Sequence, residues 1–189
     1  MTRTLLAATL LALGLAQPAL ALEGTLDRSH TQAEFVVLHM QLDKVHGQIP
    51  LQSGTATLGP DNLPTALTAV FDVAAVTSQN DRRDQDLRDN YFEVAQFPTI
   101  TFVERSIKGT PDAFSLTGDL TIHGVTKSVV LAGKIDGVAT INGKKHVAFT
   151  GTTTIDRRDY GMTLVKFIDN QLFVGYPVTI NFEAGVAES

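Results

Sequence analysis

The chain has 189 residues, no cysteine, and 15 Lys+Arg against 20 Asp+Glu, for a formal net charge of −5. The lack of cysteine excludes a disulfide scaffold, thiolate zinc sites and thiol–disulfide exchange. The acidic balance, with no basic patch, argues against nucleic acid and against electrostatic docking on anionic lipid.

In chain order, residues 1–21 (MTRTLLAATLLALGLAQPALA) read as a signal peptide for export. Arg3 supplies the positive n-region and Leu5 to Ala16 the apolar h-region. Ala19-Leu20-Ala21 supplies the small-x-small cleavage site, and the stretch is too short for a stable membrane span. Residues 22–189 then form one domain, long enough to bury a core.

From there the dominant signal is alternation of apolar and polar residues, the mark of strands with one dry face. SHTQAEFVVLHM (29–40) reads as one strand with a histidine at each end, and Ala33, Phe35, Val37 and His39 share a face. GQIPLQSGTATL (47–58) reads as the second strand, and a tight turn through LDKV would place Gly47 opposite His39. TALTAVFDV sets Leu67, Ala69, Phe71 and Val73 against Thr68 and Asp72. The next stretch, SQNDRRDQDLRDNYFEVAQF (78–97), lacks alternation and is rich in charge. A short helix over 81–92 is predicted there, capped by Asn80, as a solvated crossover between strands. Alternation then returns with Ile100 and Phe102, with Phe114, Leu116, Leu120 and Ile122, and with Val129, Leu131 and Ile135. Val147, Phe149 and Ile155 follow, and LFVGYPVTINFE closes the series with Val174, Tyr176, Val178, Ile180 and Phe182. Eight strands joined by Gly- and Asn-rich turns predict an all-β sandwich or closed antiparallel barrel. A barrel of eight strands either fills itself with side chains or holds one small ligand.

Enzyme motifs are missing: there is no GxSxG, HExxH, P-loop or dinucleotide glycine pattern. Asp81, Asp84, Asp86 and Asp89 sit in the charge-mixed helix, and nothing pairs two carboxylates in an apolar setting. In one extended strand His30 and His39 would stand about 30 Å apart. That is too far to share a metal, whose bonds to nitrogen are about 2 Å. His30, His46, His123 and His146 read as solvated or structural. His39 continues a dry face, and reads either as a hydrogen-bonded core residue or as a polar contact for a bound ligand.

Five words, in order and spanning essentially all of residues 25–183, resemble the YceI-like family. They are LDRSHTQAEFVVLHM, VHGQI, NDRRDQDLRDNYFEVAQFPTITF, GDLTIHGVTKSVVL and TTIDRRDYGM. The resemblance implies an eight-stranded antiparallel, lipocalin-like barrel with a helical crossover around residues 81–92, exported to the periplasm. It implies a long tunnel for an isoprenoid quinone, a polyprenyl chain or another fatty amphiphile, held as by a carrier or buffer, with no metal, no other cofactor and no catalysis. Phe35, Val37 and His39 would line the tunnel wall, and Leu87, Phe92 and Phe97-Pro98 would sit in or under the crossover. The other inward residues complete the candidate ligand contacts: Leu67, Phe71 and Val73; Ile100 and Phe102; Phe114, Leu116 and Leu120; Leu131 and Phe149; Tyr176, Val178 and Ile180. Arg83-Asp84 and Arg157 occupy charged motif positions and read as structural ion pairs or, as the lesser alternative, as contacts for a ligand headgroup. The sequence departs from the family pattern at Asp86 (often His), Ala75 (often Ser), Ile49 (usually Phe) and Gln52 (expected aromatic), and Tyr91-Phe92 shortens the Phe-rich segment. Two other readings stay open: a haem or metal carrier using His39, and an interaction or stress-response module with a filled barrel. A homodimer and transient contact with inner-membrane proteins are further expectations.

Overall fold

The structure is a computed structural model that describes residues 21–163 and 173–189. The expected signal peptide lies outside the described residues except for Ala21.

Among the described residues nine strands run in chain order: β1 (Leu22–Leu26), β2 (Gln32–His39), β3 (Asp43–Leu58), β4 (Pro64–Asp72), β5 (Thr99–Thr110), β6 (Ala113–Ile122), β7 (Val125–Ile141), β8 (Lys144–Asp156) and β9 (Val174–Glu188). Each is antiparallel to its neighbours in the order β3-β2-β9-β8-β7-β6-β5-β4, and β4 returns to β3. The ring therefore closes on eight positions, the barrel of the two architectures that the alternation allowed and the one that the family resemblance implied. The ninth strand, β1, shares a position with β2. Both lie between β3 and β9, with β1 against Thr55–Leu58 and Val186–Glu188 and β2 against Asp43–Pro50 and Val174–Glu183.

Asp27 makes that break. Its carboxylate accepts from the Ser29 amide at 2.8 Å and the Ser29 hydroxyl at 2.6 Å, and meets His30 Nδ1 at 2.8 Å. A local turn of this kind competes with ladder pairing. The Ser29 hydroxyl and then His30 hold the Asp27 carboxyl down at about 2. The gap is stitched to β9, where Thr31 Oγ1 accepts the Gly185 amide at 3.1 Å and the Asp27 amide donates to the Gly185 carbonyl at 2.8 Å. His30 is thus an exposed turn residue, not the start of one long strand.

The following hairpin also differs from the sequence reading. The turn is Met40-Gln41-Leu42, closed by Leu42 N donating to His39 O at 3.1 Å, and β3 starts at Asp43. In the resulting register Gly47 faces Phe35, while His39 faces Asp43. Two bulges explain where simple alternation fails. β3 buries Gly47, Ile49 and Leu51, slips beyond Leu51, and then buries Ala56 and Leu58. β5 buries Ile100 and Phe102, then slips between Glu104 and Ser106. An extra residue reverses which side chains point inward.

The charged crossover is helical where predicted. α1 (Asp81–Asp86) is capped by Asn80, whose side chain accepts from Arg83 N at 3.0 Å, and it continues into a π-type turn over Leu87–Tyr91. Inside the ring, the half nearest β1 is packed solid by Leu26, Leu58, Leu67, Leu116, Phe149 and Val186, among others.

Candidate functional site

The other half of the barrel is not filled. It encloses a cavity of about 1030 Å³, at the top of the range of roughly 300–1,000 Å³ common for small-molecule sites. Its wall is apolar and comes from most of the ring: Phe35 and Val37 from β2, Val45 and Ile49 from β3, Ile100 and Phe102 from β5, Leu120 and Ile122 from β6, and Val178 and Ile180 from β9. The floor is aromatic. Phe71 meets Phe182 edge-on at 5.8 Å between centroids, and both border the cavity. Below them Phe149 contacts Phe182 at 5.9 Å and Phe114 at 6.4 Å. Such edge contacts interlock large rings without voids, so the space ends there.

The crossover supplies the polar side. Leu87, Tyr91 and Phe92 turn toward the cavity with Arg82, Arg83, Gln85, Asp86 and Asn90. Ser78 anchors this wall. Its amide and hydroxyl donate to Asp84 Oδ1 at 2.7 and 2.5 Å, while Arg83 Nε donates to its hydroxyl at 2.7 Å and Nη2 to its carbonyl at 2.9 Å. Arg83 and Asp84 thus converge on one serine rather than forming the ion pair expected from sequence. Consecutive helical residues point about 100° apart, so they reach a shared third residue more readily than each other. Burial pushes the Asp84 carboxyl up, but the Ser78 donors, Thr77 and the Arg88 charge outweigh it, and the group stays below its ordinary value.

Arg157 follows β8 in a short 3-10 turn (Arg157–Tyr160); it is 3% exposed and borders the cavity. Its guanidinium donates to the carbonyls of Gly175 at 3.1 Å, Met162 at 2.5 Å and Val174 at 3.1 Å. It also lies 5.1 Å from the Tyr176 ring centroid and 6.0 Å from that of Tyr91. The residue works as a clamp on three backbone carbonyls.

Of the expected contact residues, twelve border the cavity: Phe35, Val37, His39, Phe71, Leu87, Phe92, Ile100, Phe102, Leu120, Leu131, Val178 and Ile180. Six do not. Leu67, Leu116, Phe114 and Phe149 belong to the solid half beneath the floor, and Val73 is fully buried in the 3-10 turn after β4. Tyr176 keeps the inward parity, but its ring is taken by Arg157 and by Arg158, whose guanidinium carbon is 3.9 Å from the centroid. Phe97 packs on His123 at 4.3 Å between centroids, away from the cavity. His39 borders the cavity but is exposed, at the rim, so it is not a core residue. Val45 and Met162 border the cavity and were not foreseen as contacts. Val45 alternates with Gly47 and Ile49, a signal hidden by starting the strand too late. Among the described residues no three His, Cys, Asp or Glu side chains gather as a metal site.

Residues 25–186 match the family model for the YceI-like domain. The chain is 31% identical over 151 residues to Protein YceI of Salmonella newport, covering 77% of this chain and 78% of that protein. It is 27% identical over 153 residues to a UPF0312 protein of Vibrio vulnificus, covering 77% and 81%. Among solved structures, the Campylobacter jejuni YCEI protein is similar with a TM-score of 0.64 and 26% identity, covering 80% of this chain and 90% of that one. BcnA of Burkholderia cenocepacia aligns with a TM-score of 0.73 at 18% identity, covering 85% and 98%. A polyisoprenoid binding domain from Saccharophagus degradans aligns with a TM-score of 0.65 at 16% identity, covering 89% and 99%. The last two likenesses carry the fold alone.

Proposed function

The chain belongs to the YceI-like family, and on that premise we propose that it is a binding protein whose cavity holds the hydrocarbon chain of an isoprenoid quinone, a polyprenyl lipid or a similar long amphiphile. The observation that carries this is the cavity: apolar over most of its wall and closed below by phenylalanines, with polar side chains gathered mainly on the crossover beside Glu34, Thr153 and Arg157. Each methylene taken from water into such a space contributes about 0.8 kcal/mol, offset in part by the entropy of ordering a flexible chain. A cavity of about 1030 Å³ has room for a chain of several prenyl units. A longer chain would run out past the rim.

The signal-peptide pattern of residues 1–21 supports a periplasmic setting, and the polyisoprenoid binding domain that shares this fold supports the ligand class. A filled barrel acting through its outside fits less well, because the upper half is hollow. Extraction of the protein purified from its native host, followed by mass spectrometry of the organic phase, tests the reading. A prenyl or fatty chain near one per protein is expected. An empty extract, together with no uptake of added prenyl lipids, would overturn it.

A further inference from the structure

We propose that the β2–β3 hairpin tip, with Phe173 beside it, docks the cavity mouth on an uncharged lipid bilayer. The inference rests on the lipid-binding reading above and adds where the ligand enters and leaves.

Four large apolar side chains stand in water at this place: Leu42 at 79% exposure, Met40 at 59%, Phe173 at 55% and Leu38 at 43%. They are drawn together by the ladder. Met40 N donates to Phe173 O at 2.9 Å, and His39 pairs with Val174. The inner side of the same segments, Val37, His39, Val45 and Val174, borders the cavity. Apolar surface therefore runs from the cavity wall, over the lip, to the outside.

The backbone gives an independent sign. Met40 and Gln41 sit at φ of 53° and 55°, in the left-handed region. That conformation favours Asn and Gly. The β7–β8 turn of this chain has the same sign at both central residues and uses Asn142-Gly143. The β6–β7 turn uses His123-Gly124. Met-Gln at the β2–β3 tip is a costlier choice for folding, and strain of this kind tends to sit where function needs the side chain.

A bilayer fits the tip better than a protein partner. A stable protein interface covers about 800 Å² on each side, more than a narrow convex turn can offer. Insertion into the boundary between headgroups and acyl chains asks only for a few side chains that reach about 5–10 Å deep. Charge selects the kind of bilayer: Asp43 and Lys44 beside the tip offset each other, and the chain as a whole carries −5. The tip itself offers no net charge to draw anionic lipid, so apolar insertion into zwitterionic lipid is the route.

The test uses phosphatidylcholine–phosphatidylethanolamine vesicles, with and without phosphatidylglycerol, and a soluble dansyl-farnesyl probe for the cavity. The variant Met40→Asn/Gln41→Gly/Leu42→Ser replaces the tip with residues suited to its backbone, so its melting temperature should hold or rise. Its vesicle-bound partition should fall at least about ten-fold, the burial of two large side chains, while probe uptake stays unchanged. Wild-type protein that takes up the probe but ignores vesicles would overturn the docking proposal and leave the carrier reading intact. Wild-type protein that floats with vesicles but never takes up the probe would sink the carrier reading instead. Equal vesicle binding by variant and wild type, or binding only to phosphatidylglycerol and lost in salt, would overturn docking by this tip. So would a dimer that the variant dissolves in the absence of vesicle binding.

Discussion

Phe35 on β2 lays its ring across the backbone of Gly47, its paired residue on β3, so closely that a methyl group at Gly47 would overlap the ring edge. The ring borders the cavity, so this contact fixes part of the wall. Gly47→Ala should push the ring toward the cavity and cost about 1–3 kcal/mol, as forced overpacking does. Thermal unfolding measures the loss, and competition among prenyl chains of graded length measures the change in capacity. Unaltered stability and unaltered length preference would show that the ring has room to move elsewhere.

Ser78 serves both Arg83 and Asp84. Ser78→Ala removes a donor from a carboxylate that is 6% exposed and an acceptor from a guanidinium, and should cost about 1–3 kcal/mol. Asp84 sits below its ordinary value of 3.8 in the fold, so its contribution is complete above that value and is lost as pH falls below it. Denaturant titrations of wild type and variant at neutral and acid pH should therefore converge on acidification.

Glu104 follows Phe102 by two residues on β5, and its Oε2 is shielded without a hydrogen-bond partner among the described residues. Burial raises the carboxyl from 4.5 to about 7. Below pH 4.5 both folded and unfolded chains hold the proton. Between that value and about 7 the unfolded chain releases it and the folded chain keeps it, so stability falls as pH rises. Glu104→Gln should remove this slope and leave the variant more stable than wild type at pH 8, read by denaturant unfolding across the range. Parallel pH profiles would contradict the assignment.

Tyr160 is 1% exposed, its hydroxyl has no partner among the described residues, and burial pushes it up to about 12. An orphaned buried hydroxyl adds nothing to offset its lost hydration. Tyr160→Phe should leave stability unchanged or raise it by up to about 1 kcal/mol. A clear fall in melting temperature would mean that the hydroxyl is satisfied in solution.

Much of the barrel was legible because alternation has only one physical cause, a sheet with one dry face. Phe71, Ile100, Phe102, Leu120 and Ile180 lie inside as their spacing requires. The helix was legible because Asn80 is a good cap before a run without alternation. Period two does not say whether an inward residue meets space or another side chain. Phe114, Phe149 and Leu116 carry the same signal as Leu120 and Ile180, yet they fill the barrel instead of lining the cavity. Nor could alternation reveal the bulges in β3 and β5, or the Asp27 turn that divides the first strand, since each is a local hydrogen-bonding or register choice that a periodic pattern averages over.

The sequence by itself determined an all-β barrel of eight positions, its inward faces, its helical crossover and its family, because these follow from periodicity, capping and ordered motifs. Tertiary structure alone decided that half of the barrel is solid and half hollow, that Arg83 and Asp84 meet on Ser78, and that His39 stands at the rim beside an exposed apolar tip. Those facts depend on which side chains face each other across the ring. That is set by register, and one shifted residue in a strand exchanges its inside for its outside.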